Sequence, residues 1–159
     1  MRKFEKISFE QFKKDVCDDE KLYDDYNLPK RKTKSAACYD IASLIEYNLK
    51  QGECKTFPTG FKYISPRDEM LLIFVRSSLG FKYNIRLVNQ VGIADSDYYN
   101  NPDNEGHVMV RIQNEGTNDF KINVGDRFAQ CTFVKFYTVD DEEEITKTRK
   151  GGFGSTGKK

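Results

Sequence analysis

Asp95 stands at the end of a predicted strand, and the aromatic side chain of Tyr98 follows it three residues later. A carboxylate fixed at a strand end can take a proton from water as a general base, and a tyrosine ring can pack against a flat ligand. Asn89 and Gly92 precede this pair and bring an amide side chain and an open backbone. Taken alone, an Asp-x-x-Tyr segment is more often a turn after a strand than a catalytic site. The segment therefore predicts a catalytic site only when other functional groups accompany it.

Four further segments carry groups that suit a polyphosphate. Arg76-Ser77-Ser78 follows the most apolar strand and offers a planar cation and two hydroxyl donors. Arg127 and Gln130 offer another cation and an amide, and Asp40 adds a carboxylate early in the β region. Residues 145–159 hold five cations and four glycines without an acid, and glycine lets backbone N–H groups approach an anion closely. Together the five segments predict a polyphosphate site with one carboxylate placed for catalysis, although the tail alone fits a disordered segment equally well.

Composition and charge limit the class of protein. A chain of 159 residues fits one domain, or one domain with tails, and its net charge of +1 argues against binding duplex nucleic acid through bulk charge. The longest apolar run, residues 70–75, is far shorter than the roughly 20 residues of a membrane helix, so it predicts a buried strand. Because residues 1–6 contain no apolar signal segment, we expect a cytoplasmic protein that does not bind membranes.

The thiols and the imidazole do not indicate a metal site or a catalytic triad. Four cysteines lie far apart without a C-x-x-C pair, so reduced thiols are expected. The sequence has a single histidine, His107, which excludes a histidine cluster.

Helical patterns are confined to the N-terminal region. Residues 2–7 predict a strand, and Ser8 with Gln11 forms a capping-box pattern ahead of a helix predicted over residues 9–16. Beyond Ala36, turn signals separate eight predicted strand regions, at residues 37–44, 53–58, 70–76, 84–88, 90–95, 106–113, 118–123 and 127–137. Residues 77–83 predict a single helical turn. Short strands without interleaved helices predict an all-β sandwich, jelly roll or barrel.

Two charged segments flank this β region. The basic residues 29–34 predict a solvated loop near an anion site rather than a nucleic-acid patch, and the acidic run 140–144 predicts a linker.

In their order along the chain, the five chemical segments resemble the five motifs of trimeric-type dUTP diphosphatases (dUTPases). The matching stretches are residues 37–41 (ACYDI), 75–80 (VRSSLG), 91–98 (VGIADSDY), 125–130 (GDRFAQ) and 151–157 (GGFGSTG). Five motifs in order are far more specific than any one, and the resemblance extends over about residues 28–159. It implies an all-β, jelly-roll-like β-clip fold. Residues 1–27 would form a strand and a short helix, residues 28–139 the β domain, and residues 140–159 a linker and a flexible glycine-rich arm that closes over the active site.

The resemblance also implies an activity: hydrolysis of dUTP to dUMP and pyrophosphate by attack of water on the α-phosphorus. This reaction keeps uracil out of DNA and supplies dUMP for dTTP synthesis. Asp95 would be the general base, Tyr98 would pack against the deoxyribose, and Asp40 would anchor Mg²⁺ through water. The remaining substrate contacts would come from Asn89 and the backbone near Gly92, Ile93 and Met109 for uracil, from Arg76, Ser77, Ser78 and Gln130 for the phosphates, and from Arg149, Phe153, Ser155 and Thr156 of the arm. Members of the family are homotrimers with shared active sites.

Several departures from the family pattern affect these expectations. Cys38 occupies the place of the usual glycine, Val75 that of a proline, and Ala94 that of a branched apolar residue. Arg149 lies one position later than the arginine of the fifth motif, and Arg127 is expected to be structural.

Two alternatives to a dUTPase remain open. A dCTP deaminase, or a bifunctional deaminase-diphosphatase of the same fold, would need a carboxylate at the pyrimidine ring, and Glu105 lies near that hairpin. A regulatory protein could bind a protein partner through residues 100–105, which look inserted after Tyr98, or through the N-terminal helix. Direct binding to nucleic acid is not expected.

Overall fold

The computed structural model describes residues 1–146 and Gly151. In chain order its elements are β1 (Lys3–Lys6), α1 (Phe9–Asp15), α2 (Glu20–Asp25), β2 (Tyr39–Ala42), β3 (Tyr47–Leu49), β4 (Cys54–Pro58), β5 (Phe61–Ile64), β6 (Glu69–Val75), α3 (Ser77–Tyr83), β7 (Ile85–Leu87), β8 (Gly92–Asp95), a 3₁₀ turn (Ser96–Tyr98), β9 (Met109–Asn114), β10 (Phe120–Ile122) and β11 (Arg127–Lys135). Each of the eight predicted strand regions contains a strand, and the prediction of an all-β, jelly-roll-like fold is confirmed.

The strands pair antiparallel in small sheets that draw partners from distant parts of the sequence. The largest sheet has the order β2-β11-β6-β8, and a second has the order β4-β9-β7. β1 pairs with β5, and β10 pairs with β3. In the largest sheet Gln130 faces Phe74 on β6, while Met70 and Ile73 of the same strand face Asp95 and Gly92 on β8. β6 therefore lies between the strands that carry the third and fourth motifs.

Side chains from both sheets fill one large core. Val110 and Ile112 of β9 are buried together with Leu71 and Ile73 of β6, as the alternation of the strands requires. In β11 the alternation is interrupted between Arg127 and Ala129, where the register with β2 shifts. This irregularity buries the neighbouring residues Phe128 and Ala129.

Three elements were absent from the sequence-based prediction, whereas α3 spans the predicted residues 77–83, although its seven residues make more than a single turn. β3 has only three residues, and β5 begins directly after the turn at Thr59-Gly60, where Gly60 has φ +77°. α2 was missed because it buries no residue completely and so has no apolar periodicity in the sequence. Asp19 caps this helix by accepting from Leu22 N at 2.9 Å. α3 extends to Tyr83 and ends where Asn84 adopts a left-handed conformation.

The two N-terminal helices pack in a cluster of their own. Ile7, Phe12, Tyr26 and Leu44 are its buried members. The Tyr26 hydroxyl donates to Gly60 O at 2.7 Å, and burial raises the pKa of that hydroxyl. A side chain at Gly60 would approach Tyr26 and Leu44 to within 3 Å, so a glycine is required there for space as well as for its positive φ.

The predicted capping box of α1 is only half formed. Ser8 Oγ accepts from Gln11 N at 3.1 Å, but the Gln11 amide donates to Asp15 at 2.8 Å instead of returning to Ser8. Glu105 takes that role, because it accepts from Ser8 N at 3.1 Å and from the Ser8 hydroxyl. Helix α1 is therefore joined to the turn at residues 100–105.

His107 is completely buried between α1 and the turn that precedes β5. Its Nε2 atom accepts from Thr59 N at 3.2 Å and from Gly60 N at 2.8 Å, so the ring must be neutral with its hydrogen on Nδ1. Nδ1 then donates to Asp15 Oδ2 at 2.6 Å. Burial lowers the pKa of His107, while the hydrogen bond to Asp15 and the nearby Glu105 charge oppose that shift.

The remaining features agree with the limits set by composition. All four cysteines carry free thiols, and burial raises the pKa of Cys131. Among the described helices, none has the length and apolar character needed to cross a membrane. The acidic run 140–144 is exposed and lies outside any strand or helix.

The state of His107 predicts how stability depends on pH. Because the folded-state pKa lies below the ordinary value of about 6.5, neutral His107 contributes stability that is complete above that pH and is lost as the pH falls through the lowered pKa. The loss should reach at most about 1.4 kcal/mol for each pH unit between the two values. Urea unfolding at pH 7.5, 6.5 and 5.5 should show a free energy of unfolding that decreases as the pH is lowered, with a flatter profile for His107→Gln. Parallel profiles would contradict the assignment, since no other imidazole exists in the sequence.

Candidate active site

An ion-pair cluster forms where β2, β11 and β6 lie side by side. Arg127 Nη1 lies 2.7 Å from Asp40 Oδ2, and Arg76 Nε lies 3.3 Å from Asp40 Oδ1. Arg76 Nη1 also donates to Arg127 O at 3.3 Å. Because two guanidinium groups share one carboxylate, the cluster carries a net positive charge that favours an anion. The Asp40 side chain is 15% exposed, so the cluster is reachable from solvent.

The other predicted phosphate ligands adjoin this cluster. Ser77 and Ser78 open α3 directly after Arg76, and Ser77 is exposed. Gln130 faces Asp40 in the register of β2 with β11, and its amide donates to Val75 O at 3.3 Å. The structure therefore brings together Asp40, Arg76, Ser77, Ser78 and Gln130, although Asp40 and Gln130 are separated by 90 residues of sequence.

The basic loop lies beside the same cluster, as expected. Lys30 and Lys32 line a pocket of about 460 Å³ that also reaches Asp40 and Arg127. Lys30 pairs with Asp40 through its backbone, and its ammonium group donates to Asn27 at 2.6 Å. Burial, and then the Asp40 charge, raise the pKa of Cys38, so the side chain at this departure from the family pattern stays uncharged.

A second pocket, of about 410 Å³, lies between the β8 hairpin and β9. Its lining consists of Thr56, Ile73, Leu87, Val88, Asn89, Gly92, Met109, Val110 and Arg111. The hairpin turns at Gln90, which has φ 66°. A Cβ at Gly92 would lie 3.0 Å from Ile73 Cβ, so glycine allows β8 to lie close against β6. Asn89, Gly92 and Met109, which are predicted to contact the base, thus share one pocket. Ile93, the fourth residue predicted there, does not line it and is 64% exposed.

Sequence reasoning missed two polar members of this pocket. Arg111 Nη1 lies 3.5 Å from Thr56 Oγ1, across the pairing of β9 with β4. Arg111 could have been found from the strand period, because it lies two residues after Met109 and therefore on the same face of β9.

Asp95 ends β8 in an exposed position, and its backbone carbonyl accepts from the Tyr63 hydroxyl at 2.6 Å. Tyr98 lies in the 3₁₀ turn that follows, and only 8% of its surface is exposed. Its hydroxyl accepts from Asn104 Nδ2 at 2.8 Å and donates to His107 O at 3.4 Å. The segment from Asp95 to Tyr98 is therefore a strand end followed by a turn packed against residues 104–107.

Within a single chain, Asp95 lies far from the ion-pair cluster. Asp95 faces Met70 near the start of β6, whereas Arg76 follows the end of that strand. Six residues of extended backbone span about 20 Å at 3.3 Å per residue. The predicted site is therefore divided within one chain between two ends of β6.

Metal ligands are sparse in the described chain. Residues 1–146 and Gly151 contain no group of three or more His, Cys, Asp or Glu side chains placed to hold a metal ion. The predicted ligands of the arm, Arg149, Phe153, Ser155 and Thr156, lie outside the described residues.

Comparisons with known proteins agree on one family. The dUTPase family model matches residues 24–157. The deoxyuridine 5'-triphosphate nucleotidohydrolase of Lactococcus lactis subsp. lactis is 42% identical over 132 residues, which cover 82% of this chain and 88% of the relative. The protein of that name from Haemophilus influenzae is 38% identical over 148 residues, which cover 88% and 93%. The crystal structure of the dUTPase from Streptococcus mutans superposes with a TM-score of 0.70 at 36% identity, covering 86% of this chain and 98% of that one.

Proposed function

The chain belongs to the dUTPase family and hydrolyses dUTP to dUMP and pyrophosphate, and we propose that it does so at sites assembled from more than one subunit. The observation that carries this proposal is the division of the site along β6. Asp95 lies near the start of that strand and the cluster of Asp40, Arg76 and Arg127 near its end. A homotrimer can place the base pocket and Asp95 of one subunit against the phosphate-binding cluster of the next.

Exposed apolar side chains support such an association. Ile93 is 64% exposed beside Asp95, and Phe81 is 92% exposed on α3 just after the serines. Large apolar groups at these places suit a contact between subunits, because isolated chains leave them in water. In a closed ring, each subunit contacts its two neighbours through two different surfaces. Such an arrangement would bury both ends of β6.

The base pocket selects uracil through hydrogen bonds. In this proposal the Asn89 amide and the backbone near Gly92, Ile93 and Met109 meet the donors and acceptors of the ring. Cytosine would leave some of these groups unpaired, and an unpaired buried group costs about 1–3 kcal/mol. Tyr98 packs against the deoxyribose and leaves no room for a 2′-hydroxyl.

Asp95 acts as the general base. It takes a proton from the water that attacks the α-phosphorus, while the bond to the bridging oxygen breaks and pyrophosphate leaves. A positioned base contributes roughly 10²–10⁴ in rate. Arg76, Ser77, Ser78 and Gln130 hold the phosphate oxygens and neutralise the charge that develops on them.

The residues present suit a magnesium ion bound mainly by the substrate. Mg²⁺ keeps several of its waters and is commonly held by substrate phosphates with one or two carboxylates. Asp40 is a single carboxylate already paired with two arginines, so it suits an indirect contact through water and does not suit a cage of protein ligands. When bound, the ion would neutralise phosphate charge beside the arginines.

We also propose that the chain is divided at residues 1–27, 28–139 and 140–159. The separate packing of α1 and α2 and the exposed acidic linker support these boundaries. The glycine-rich arm, with Arg149, Phe153, Ser155 and Thr156, closes over the substrate and excludes water.

The deaminase alternative is not favoured. Glu105, the carboxylate that it would use, is bound to Ser8 and to Lys62 and does not line the base pocket. Partner binding through residues 100–105 or the N-terminal helix stays a prediction.

Replacing Asp95 by asparagine should abolish hydrolysis and preserve binding, because the side chain keeps its size and loses its basicity. Pyrophosphate release from dUTP should fall by about 10²–10⁴, while calorimetry should still detect dUTP binding. Asp97→Asn, an exposed aspartate two residues later, is the matched control and should release pyrophosphate at close to the normal rate. Normal turnover by Asp95→Asn would overturn the assignment of the base.

Mixing two inactive variants tests the shared site. Asp95→Asn and Arg76→Ala chains, refolded together in equal amounts, should recover about a quarter of normal activity, because one site in four would join an intact Asp95 to an intact Arg76. Light scattering should give the mass of a trimer for each sample. If each chain formed its own complete site, the mixture would remain inactive.

A further inference from the structure

Residues 100–105, the inserted turn, contact both α1 and Tyr98. Glu105 accepts from Ser8 at the start of α1, and Lys62 holds Glu105 at 3.3 Å and Asn100 Oδ1 at 2.8 Å. In the same turn Asn104 Nδ2 donates to the Tyr98 hydroxyl at 2.8 Å. The inserted turn therefore connects the N-terminal helix to the tyrosine assigned to the sugar.

His107 makes a second connection between the same two parts. Its ring is fixed by Asp15 of α1 on one side and by Thr59 and Gly60 on the other. Its carbonyl oxygen accepts from the Tyr98 hydroxyl at 3.4 Å. Because both nitrogens of the His107 ring are hydrogen-bonded, the ring keeps one orientation. The backbone carbonyl of His107, which accepts from Tyr98, is thereby held in a defined position.

Packing leaves the inserted turn little freedom against Tyr98. Gly106 has φ +77°, and a Cβ at that position would lie 2.3 Å from Tyr98 O. Asn100 and Glu105 also have positive φ values, of 55° and 60°. The turn thus follows the backbone of Tyr98 closely, and a change in its position would move the tyrosine.

We propose that Asp15 and His107 are positioning residues for Tyr98, so that the N-terminal helix controls how strictly the enzyme rejects UTP. The inference rests on the proposed function, in which Tyr98 packs against the deoxyribose. Exclusion of a 2′-hydroxyl is steric, and a small displacement of the ring would admit the ribonucleotide. Removing the Asp15 carboxylate takes away the hydrogen bond at His107 Nδ1 and loosens the ring without touching substrate or any proposed catalytic group.

The test compares kcat/KM for dUTP and UTP in three variants of the full chain. Asp15→Ala should raise the ratio of UTP to dUTP turnover about tenfold, with kcat for dUTP little changed. Asp15→Asn keeps an oxygen that can accept from His107 Nδ1, so it should restore discrimination. Glu10→Ala removes an exposed acid of the same helix that pairs only with Lys13 among the described contacts, and should leave the ratio unchanged.

Asn104→Ala tests the contact between residues 100–105 and Tyr98 without altering α1. It removes the hydrogen bond to the Tyr98 hydroxyl and should also raise the UTP ratio, and the double variant with Asp15→Ala should show less than the product of the two effects. An unchanged ratio in folded Asp15→Ala and Asn104→Ala would overturn the proposal, because a merely structural role would lower stability without altering selectivity. Failure of the unmodified chain to hydrolyse dUTP would instead reject the proposed function.

Discussion

The pairing of β6 with β11 on one side and β8 on the other is the constraint on which the molecule depends. It places Arg76 beside Asp40 and Arg127, and it places Asp95 opposite Met70 at the other end of the strand. The length of one strand therefore separates a basic cluster from a carboxylate by about 20 Å. Under the proposed function, a reaction that needs both groups would draw them from two copies of the chain, and the exposed Ile93 and Phe81 suit a contact between the copies.

Much of the fold could be predicted because strand periods and turn residues are local signals. All eight predicted strand regions contain strands, but β3 and β5 were missed, since three or four residues beside a turn carry too little pattern. α2 was missed because its stability comes from the Asp19 cap and partial burial rather than from an apolar stripe. The sequence could name Asp40, Arg76 and Gln130, yet their meeting depends on the order of strands in a sheet, which no local pattern encodes.

The polar network around His107 could not be predicted for a related reason. A lone histidine gives no spacing to interpret, and Asp15 lies 92 residues away. One histidine cannot form a histidine cluster, and the structure gives His107 another role: the ring satisfies two backbone donors in a turn that contains a required glycine. Buried polar groups of this kind are costly unless every partner is present, so the turn, the helix and the ring stabilise one another.

The cap that Glu105 provides has a consequence for the order in which the molecule is completed. α1 is seven residues long, which is too short to persist in isolation, and the residue that closes its first turn lies 97 positions further along the chain. During synthesis the helix leaves the ribosome before Glu105 does, so this hydrogen bond cannot form until the β8–β9 connection has been made. The hydrogen bond from Ser8 to Glu105 therefore ties the position of α1 to the turn that follows Asp95 and Tyr98.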